Sequence, residues 1–158
     1  ARAAEPRGII PAVADIKQKA YGGVATALSS QLDALGVAAY SNASSAIDNS
    51  SALDLFDDLE LAVDFVSAPT AGGYVSVYLL PAVDGSNYAD GSSSVVPSAQ
   101  NLVATIDIQN STAAQRLAFR NVPIPPGLFK YLVANNTSQA FPASGSTLKR
   151  NPHSMTVA

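Results

Sequence analysis

The chain has 158 residues, a formal net charge of −3, no cysteine and one histidine, and only 13% of its residues are charged. This length suffices for one domain with a sizeable hydrophobic core. The lack of cysteine excludes disulfide bonds, thiolate metal sites and cysteine catalysis. The low content of charge and histidine favours a structural or binding role over an enzyme.

The charges are distributed unevenly along the sequence. No lysine or arginine occurs between Ala20 and Gln115, a stretch that holds ten of the twelve acidic residues. The basic residues lie towards both ends: Arg2, Arg7, Lys17, Lys19, Arg116, Arg120, Lys130, Lys149 and Arg150. Because these bases are sparse, they indicate a protein partner with an acidic surface, and nucleic acid is disfavoured.

The first 20 residues predict an extended N-terminal arm, because Pro6, Gly8 and Pro11 interrupt them and no hydrophobic period is sustained. The next segment, VATALSSQLDALG (24–36), fits two templates. Its leucines and Val24 match one face of a helix that ends at Gly36, and its even-numbered positions match one face of a strand. Periodicity leaves both alternatives open.

The clearest strand signal begins at Leu53. Apolar residues recur at odd positions from Leu53 to Phe65, and acidic residues lie at even positions among them: Asp54, Asp58, Glu60 and Asp64. This alternation predicts one long strand or a strand pair with these acids on the outer face.

Further strands are predicted at 74–81, 101–109, 115–122, 128–135 and 146–150, separated by turns and by a long loop at 82–98. Six to eight strands and at most one helix predict an all-β fold, an antiparallel β-sandwich. We expect this domain at 21–150, between the arm at 1–20 and a short C-terminal tail at 151–158. Its expected core contains Leu61, Val63, Phe65, Val77, Ile106, Phe119 and Val133.

The acidic cluster Asp57, Asp58 and Glu60 is the first candidate for chemistry. Asp58 and Glu60 would project from one face of a strand, about 6.5–7 Å apart along it, which is compatible with the carboxyl pair of a glycosidase. No aromatic platform or second acidic cluster accompanies them in the sequence. The simpler interpretation is a solvated or partner-facing strand.

The loop from Asp84 to Asp90 is a second candidate, because its oxygen ligands could hold calcium. The EF-hand spacing is absent, since Ser86 and Tyr88 occupy ligand positions and no glutamate closes the loop. The sequence has no G-x-S-x-G motif whose serine His153 could activate as a catalytic base. We interpret His153 as an exposed histidine of the tail. The sequence therefore predicts no catalytic activity, no metal and no cofactor.

Packing and turn signatures are concentrated in three segments: SSAIDNSSALDLFDDLELAVDF (44–65), VYLLPAVDGSNYADG (77–91) and AAQRLAFRNVPIPPGLFKYLVANNTSQAFPASGSTLK (113–149). These segments resemble the capsid cement (decoration) proteins of tailed bacteriophages. The resemblance implies a jelly-roll sandwich, a strand at 24–33, and a structural protein on the outside of the virion, assembled in the host cytoplasm. Its implied partners are the major capsid protein and further copies of the chain, as a homodimer or homotrimer, with no membrane.

The arm is the expected partner-binding element in such a protein. Its basic and apolar residues would contact a neighbouring subunit: Arg2, Arg7, Ile9, Ile10, Lys17 and Lys19. Two alternatives remain open. One is a tail-associated carbohydrate-binding module, for which Tyr74, Tyr78 and Tyr88 are the clustered aromatic residues. The other is a small hydrolase that uses Asp58 and Glu60.

Overall fold

The computed structural model describes residues 16–19 and 21–157. Their regular structure is β-strand, with two short 3-10 turns at Ser30–Leu32 and Ala99–Asn101. The strands are β1 (Ile16–Gln18), β2 (Ala25–Leu28), β3 (Ile47–Asp48), β4 (Phe56–Val63), β5 (Tyr74–Pro81), β6 (Leu102–Asp107), β7 (Gln115–Pro123), β8 (Leu128–Asn136), β9 (Thr147–His153) and β10 (Met155–Val157). In this part of the chain, no helix has the length and apolar character needed to cross a membrane.

Eight of these strands form two four-stranded antiparallel sheets. Sheet 1 has the order β2-β9-β4-β7, and sheet 2 has the order β3-β8-β5-β6. With the eight strands lettered B to I along the chain, these orders are B-I-D-G and C-H-E-F, the arrangement of an eight-stranded jelly roll. The predicted antiparallel jelly-roll sandwich is therefore confirmed.

The core lies between the two sheets and follows from the alternation of residues along each strand. In β4 every second residue is buried, from Asp57 to Val63. Most of the expected core residues are buried: Leu61, Val63, Phe65, Val77, Ile106 and Val133. Phe119 is only partly buried against them, because β7 is an edge strand of sheet 1.

The ambiguous segment at 24–36 is a short strand followed by a turn. β2 ends at Leu28, and the 3-10 turn that follows carries Leu32 and then Leu35 back to the core. All three leucines are buried, whereas Val24 is 67% exposed. The helix-like spacing of the leucines thus arises because β2 buries Leu28 and the turn after it buries Leu32 and Leu35 in the same core.

Sheet 2 is covered on its outer side by the long loop after β5. Leu80 and Leu132 lie outside the inter-sheet core, yet they are 1% and 0% exposed. Gly91 of the loop packs so closely that a Cβ there would lie 3.0 Å from both methyl groups of Leu80. Ser93 in the same loop donates a hydrogen bond to Asn42 Oδ1 at 2.9 Å. The two sheets therefore present different outer surfaces.

Candidate functional site

The two ends of the described chain leave the sandwich together. β1 and β10 pair as a two-stranded ribbon, with Ile16 opposite Val157 and Gln18 opposite Met155. Backbone hydrogen bonds from Lys19 to Ser154 and from Gly22 to Pro152, at 2.9 and 2.8 Å, connect this ribbon to the β2–β9 pair. β4 accompanies β9 only as far as His153. The terminal ribbon (16–18 with 155–157) is therefore an extension of sheet 1 beyond the end of the sandwich.

Two of the expected partner-binding residues lie in the terminal ribbon or next to it, Lys17 within β1 and Lys19 just after it. Lys17 is exposed, and the Lys19 side chain is 52% exposed with its Nζ 3.8 Å from Asp54 Oδ1. Ile16 and Met155 add apolar surface, at 72% and 54% exposure. The other four expected residues lie outside the described part of the chain: Arg2, Arg7, Ile9 and Ile10.

One carboxylate, that of Asp58, connects the base of the terminal ribbon to sheet 1. Its Oδ1 accepts a hydrogen bond from the Asn121 backbone N–H at 2.8 Å and lies 3.2 Å from His153 Nε2. Its Oδ2 accepts a hydrogen bond from the Tyr21 hydroxyl at 2.7 Å and lies 3.6 Å from Arg120 Nε. The carboxylate thus joins segments from both chain ends to β7.

The same contacts set the charge of Asp58. Burial acts to raise its pKa, but the hydrogen bonds from Asn121, Tyr21 and His153 outweigh burial, so that the pKa lies below its usual value. Asp58 is therefore held in its ionised form at the base of the terminal ribbon.

The interpretation of His153 as an exposed tail residue is wrong. Its ring stacks on Phe56 with centroids 5.6 Å apart and meets the Tyr21 ring edge-on at 5.5 Å, and the residue is 9% exposed. Residues 151–153, placed in the tail from the sequence, belong to β9, and 155–157 form β10. The sequence signal was misleading because Pro152 lacks the N–H of a strand ladder and so indicated an end to the strand.

Asp57, the third acid of the cluster singled out from the sequence, is fully buried between the sheets, on the side of β4 opposite to Asp58 and Glu60. Its Oδ2 accepts hydrogen bonds from the Tyr131 hydroxyl at 2.7 Å and from Arg150 Nε at 2.8 Å. Burial and the nearby Asp57 charge raise the pKa of Tyr131 above its usual value. A signal for the burial of Asp57 was available, because it is the one acidic residue at an odd position between Leu53 and Phe65.

A groove of about 490 Å³ lies on the outer face of sheet 1. Its lining includes two arginines and a lysine around two acids: Arg116, Arg120, Lys149, Asp58 and Glu60. Asp58 and Glu60 share the outer face of β4, as predicted. Both carboxylates are engaged, since Glu60 accepts a hydrogen bond from Arg116 at 3.3 Å. The lowered pKa of Asp58 is the opposite of what the general acid of a glycosidase requires.

The Asp84–Asp90 loop uses the carboxylate of Asp84 to close its own turn. Oδ1 accepts hydrogen bonds from the backbone N–H groups of Ser86 and Asn87, and Oδ2 accepts one from the Asn87 side chain, at 2.7–2.9 Å. The backbone and side-chain bonds from Asn87, with that from Ser86, lower the pKa of Asp84 to about 2. Across residues 16–19 and 21–157, no three His, Cys, Asp or Glu side chains cluster as a metal site would require.

The three tyrosines considered for sugar binding do not stack on one another. The Tyr78 ring lies 6.3 Å from the Tyr40 ring, and Lys130 Nζ lies 4.1 Å above the Tyr88 ring. Tyr74 is 40% exposed. Burial, and beside it the neighbouring Tyr40 and Tyr74, raise the pKa of Tyr78. In the described part of the chain no ring contact joins any two of the three.

No protein-family model and no curated protein matches this chain. Three observations therefore bear on function: the jelly-roll topology, the terminal ribbon and the resemblance of the sequence to capsid cement proteins.

Proposed function

We propose that this chain is a structural virion protein, a capsid cement (decoration) protein that binds the major capsid protein and stabilises the shell. The resemblance of three long segments to that family supports the proposal. The fold is compatible with it, since jelly rolls occur in viral capsid and lectin domains. The jelly-roll fold is thus shared by capsid proteins and by carbohydrate-binding lectins.

The terminal ribbon is the observation that carries the proposal. A two-stranded ribbon is marginally stable in water unless a further strand or a packed face supports it. Beyond His153 no third strand of the described chain accompanies this ribbon. It also exposes Ile16 and Met155 beside Lys17 and Lys19. A partner surface that is apolar and acidic would complete it.

The chain that precedes the terminal ribbon extends the reach of this contact. Residues 1–15 include Arg2, Arg7, Ile9 and Ile10. A fully extended segment of fifteen residues spans at most about 50 Å, enough to reach a neighbouring capsid subunit. Each copy then contributes a small contact, and an array of copies on a shell makes many such contacts act together.

The test is binding to capsids of the virus that encodes the chain. We expect the purified protein to sediment with those capsids and to raise their melting temperature. The charge-reversal pair Lys17→Glu with Lys19→Glu should lower occupancy sharply. The matched control is the pair Arg116→Glu with Lys149→Glu, which makes the same charge change on sheet 1. At low occupancy, where bound copies are not neighbours, this pair should bind almost normally.

Two results would contradict the proposal. The first is that the wild-type protein does not bind these capsids, even at concentrations at which cement proteins saturate their own capsids. The second is specific binding on a glycan array without capsid binding, which would indicate the carbohydrate-binding alternative.

A further inference from the structure

The two outer surfaces of the sandwich differ in charge. The outer face of sheet 1 carries three bases against two acids. The side chains of Arg116 and Arg120 are 71% and 72% exposed, with Lys149 beside them, and the two acids are Glu60, paired with Arg116, and Asp58, paired with Arg120. Among the described residues of sheet 2 and its covering loop, Lys130 is the single base, set against four exposed acids: Asp48, Asp84, Asp90 and Asp107. The sequence order hides this polarity, because the bases of sheet 1 come from two distant strands.

The basic surface is concave. Ala118 lies between Arg116 and Arg120 on the outer face of β7, so its short side chain leaves a gap between two long ones. Across the sheet, Glu60 is paired with Ala118 on one side and with Lys149 on the other. The result is the groove described above, with cationic groups along both sides and a volume in the range of ligand-binding clefts.

The opposite surface presents an exposed acidic loop. The tip of the covering loop is accessible, with Val83 94% exposed and Asp84 to Asn87 exposed behind it. Asp84 remains ionised because its own turn donates three hydrogen bonds to it, and Asp90 adds a second exposed carboxylate.

We propose that the sheet 1 groove receives the 83–90 loop of a second copy of this chain. The contact is head-to-tail, so successive copies form a ring where the rotation closes and an open row where it does not. Exposed ion pairs are individually weak and are screened by salt. The contact is therefore weak in dilute solution and becomes effective where copies are held side by side. This inference goes beyond the proposed function and requires no capsid for its test.

The test uses two variants of the purified protein. The groove variant is Arg116→Glu with Lys149→Glu, which leaves Asp58 and its partners untouched. The loop variant is Asp84→Asn with Asp90→Lys; asparagine keeps an oxygen that accepts the turn hydrogen bonds. Matched controls carry the same charge changes elsewhere: Lys17→Glu with Lys19→Glu, and Asp33→Asn with Asp64→Lys. Circular dichroism and melting temperature establish that each variant is folded.

Sedimentation velocity at low and high ionic strength measures association. We expect the wild-type sedimentation coefficient to rise with protein concentration at about 0.02 M salt and to stay constant at about 0.5 M, since the screening length shortens severalfold. Each variant alone should lose the association, because its groove and loop then carry like charges. An equimolar mixture of the two variants should regain it, since each groove now meets a loop of opposite charge. Both controls should associate as the wild type does.

Three outcomes would overturn the proposal: a monomeric wild type at low salt, association that survives in either variant alone, or a mixture that fails to associate. If the control Lys17→Glu with Lys19→Glu loses association, the contact lies on the terminal ribbon, and this result would also contradict the proposal that the groove binds the loop. Capsid binding without self-association would leave the proposed function standing, so the two failures are distinguishable.

Discussion

The Tyr131 hydroxyl lies 2.7 Å from Asp57 Oδ2, which joins β8 of sheet 2 to β4 of sheet 1 through the core. Arg150 reaches the same oxygen from β9, and its side chain is 12% exposed. Removing one partner of a buried charge is costlier than the net contribution of the interaction, because the remaining group stays desolvated. This asymmetry separates the effects of substitutions at the two residues.

Tyr131→Phe should lower the free energy of unfolding by about 1.5–3 kcal/mol, the range for one lost hydrogen bond to a charged group. Asp57→Ala should cost more, about 3–5 kcal/mol, because it leaves Arg150 without its buried partner. Urea unfolding followed by circular dichroism measures both. Equal effects of the two substitutions would contradict the assignment of Asp57 as the centre of this cluster.

Alkaline conditions test the same hydroxyl. The pKa of Tyr131 is raised in the folded protein, so its contribution to stability is complete below the unfolded value of about 10 and is lost as the pH rises above it. We expect Tyr131 to ionise only on unfolding. Absorbance at the tyrosinate band, compared between wild type and Tyr131→Phe, measures this directly. A phenolate that appears in Tyr131 before unfolding would exclude a buried hydroxyl.

Asp58→Asn should loosen the terminal ribbon more than the sandwich. The substitution weakens bonds to Tyr21 and His153, which hold the two chain ends, whereas the core residues keep their packing. We expect amide hydrogen exchange in β1 and β10 to accelerate at least tenfold, with a loss of global stability of about 1–2 kcal/mol. Asp64→Asn, at an exposed acid after the same strand, is the matched control. Unchanged exchange in the ribbon would show that Asp58 does not hold it.

Acid should destabilise the protein through the same carboxylate. Because the pKa of Asp58 is lowered in the folded state, its contribution is present above the unfolded value near 3.9 and is lost as the pH falls through the folded value. The unfolding free energy of the wild type should therefore fall more steeply between pH 4 and pH 2 than that of Asp58→Asn. Parallel pH profiles for the two proteins would contradict this assignment.

Deletion of residues 1–15 should leave the sandwich almost as stable as before. These residues carry no sustained hydrophobic period, so we expect the deletion to remove few core contacts. Capsid occupancy should fall sharply, because the deletion removes Arg2, Arg7, Ile9 and Ile10. Urea unfolding and capsid sedimentation measure the two effects separately. Full occupancy by the truncated protein would assign the anchoring role to the sandwich instead.

The strands with strong alternation could be predicted from the sequence almost residue by residue. The strand at 74–81 has the bounds expected for it, and Pro81 marks its end. Residues in β3 and β10 could not be assigned, because segments of two or three residues carry no measurable period. Their strand conformation depends on the neighbours with which they pair.

The site was less predictable than the fold for a related reason. The alternation placed Asp58 and Glu60 on an outer face, but the identity of their partners depends on which strands flank β4. His153 and Arg120 come from β9 and β7, far away in the sequence. The jelly-roll strand order brings them together, and no local pattern contains that order.

The position of β9 has a consequence for the way the protein folds. Within the described residues, β2 reaches sheet 1 only through β9, and these two strands are separated by roughly 120 residues, a long loop to close. Sheet 1 is therefore incomplete until β9 has left the ribosome. Before then one edge of β4 has no partner strand, and an unpaired strand edge beside apolar residues such as Leu59 and Leu61 favours aggregation of the nascent chain.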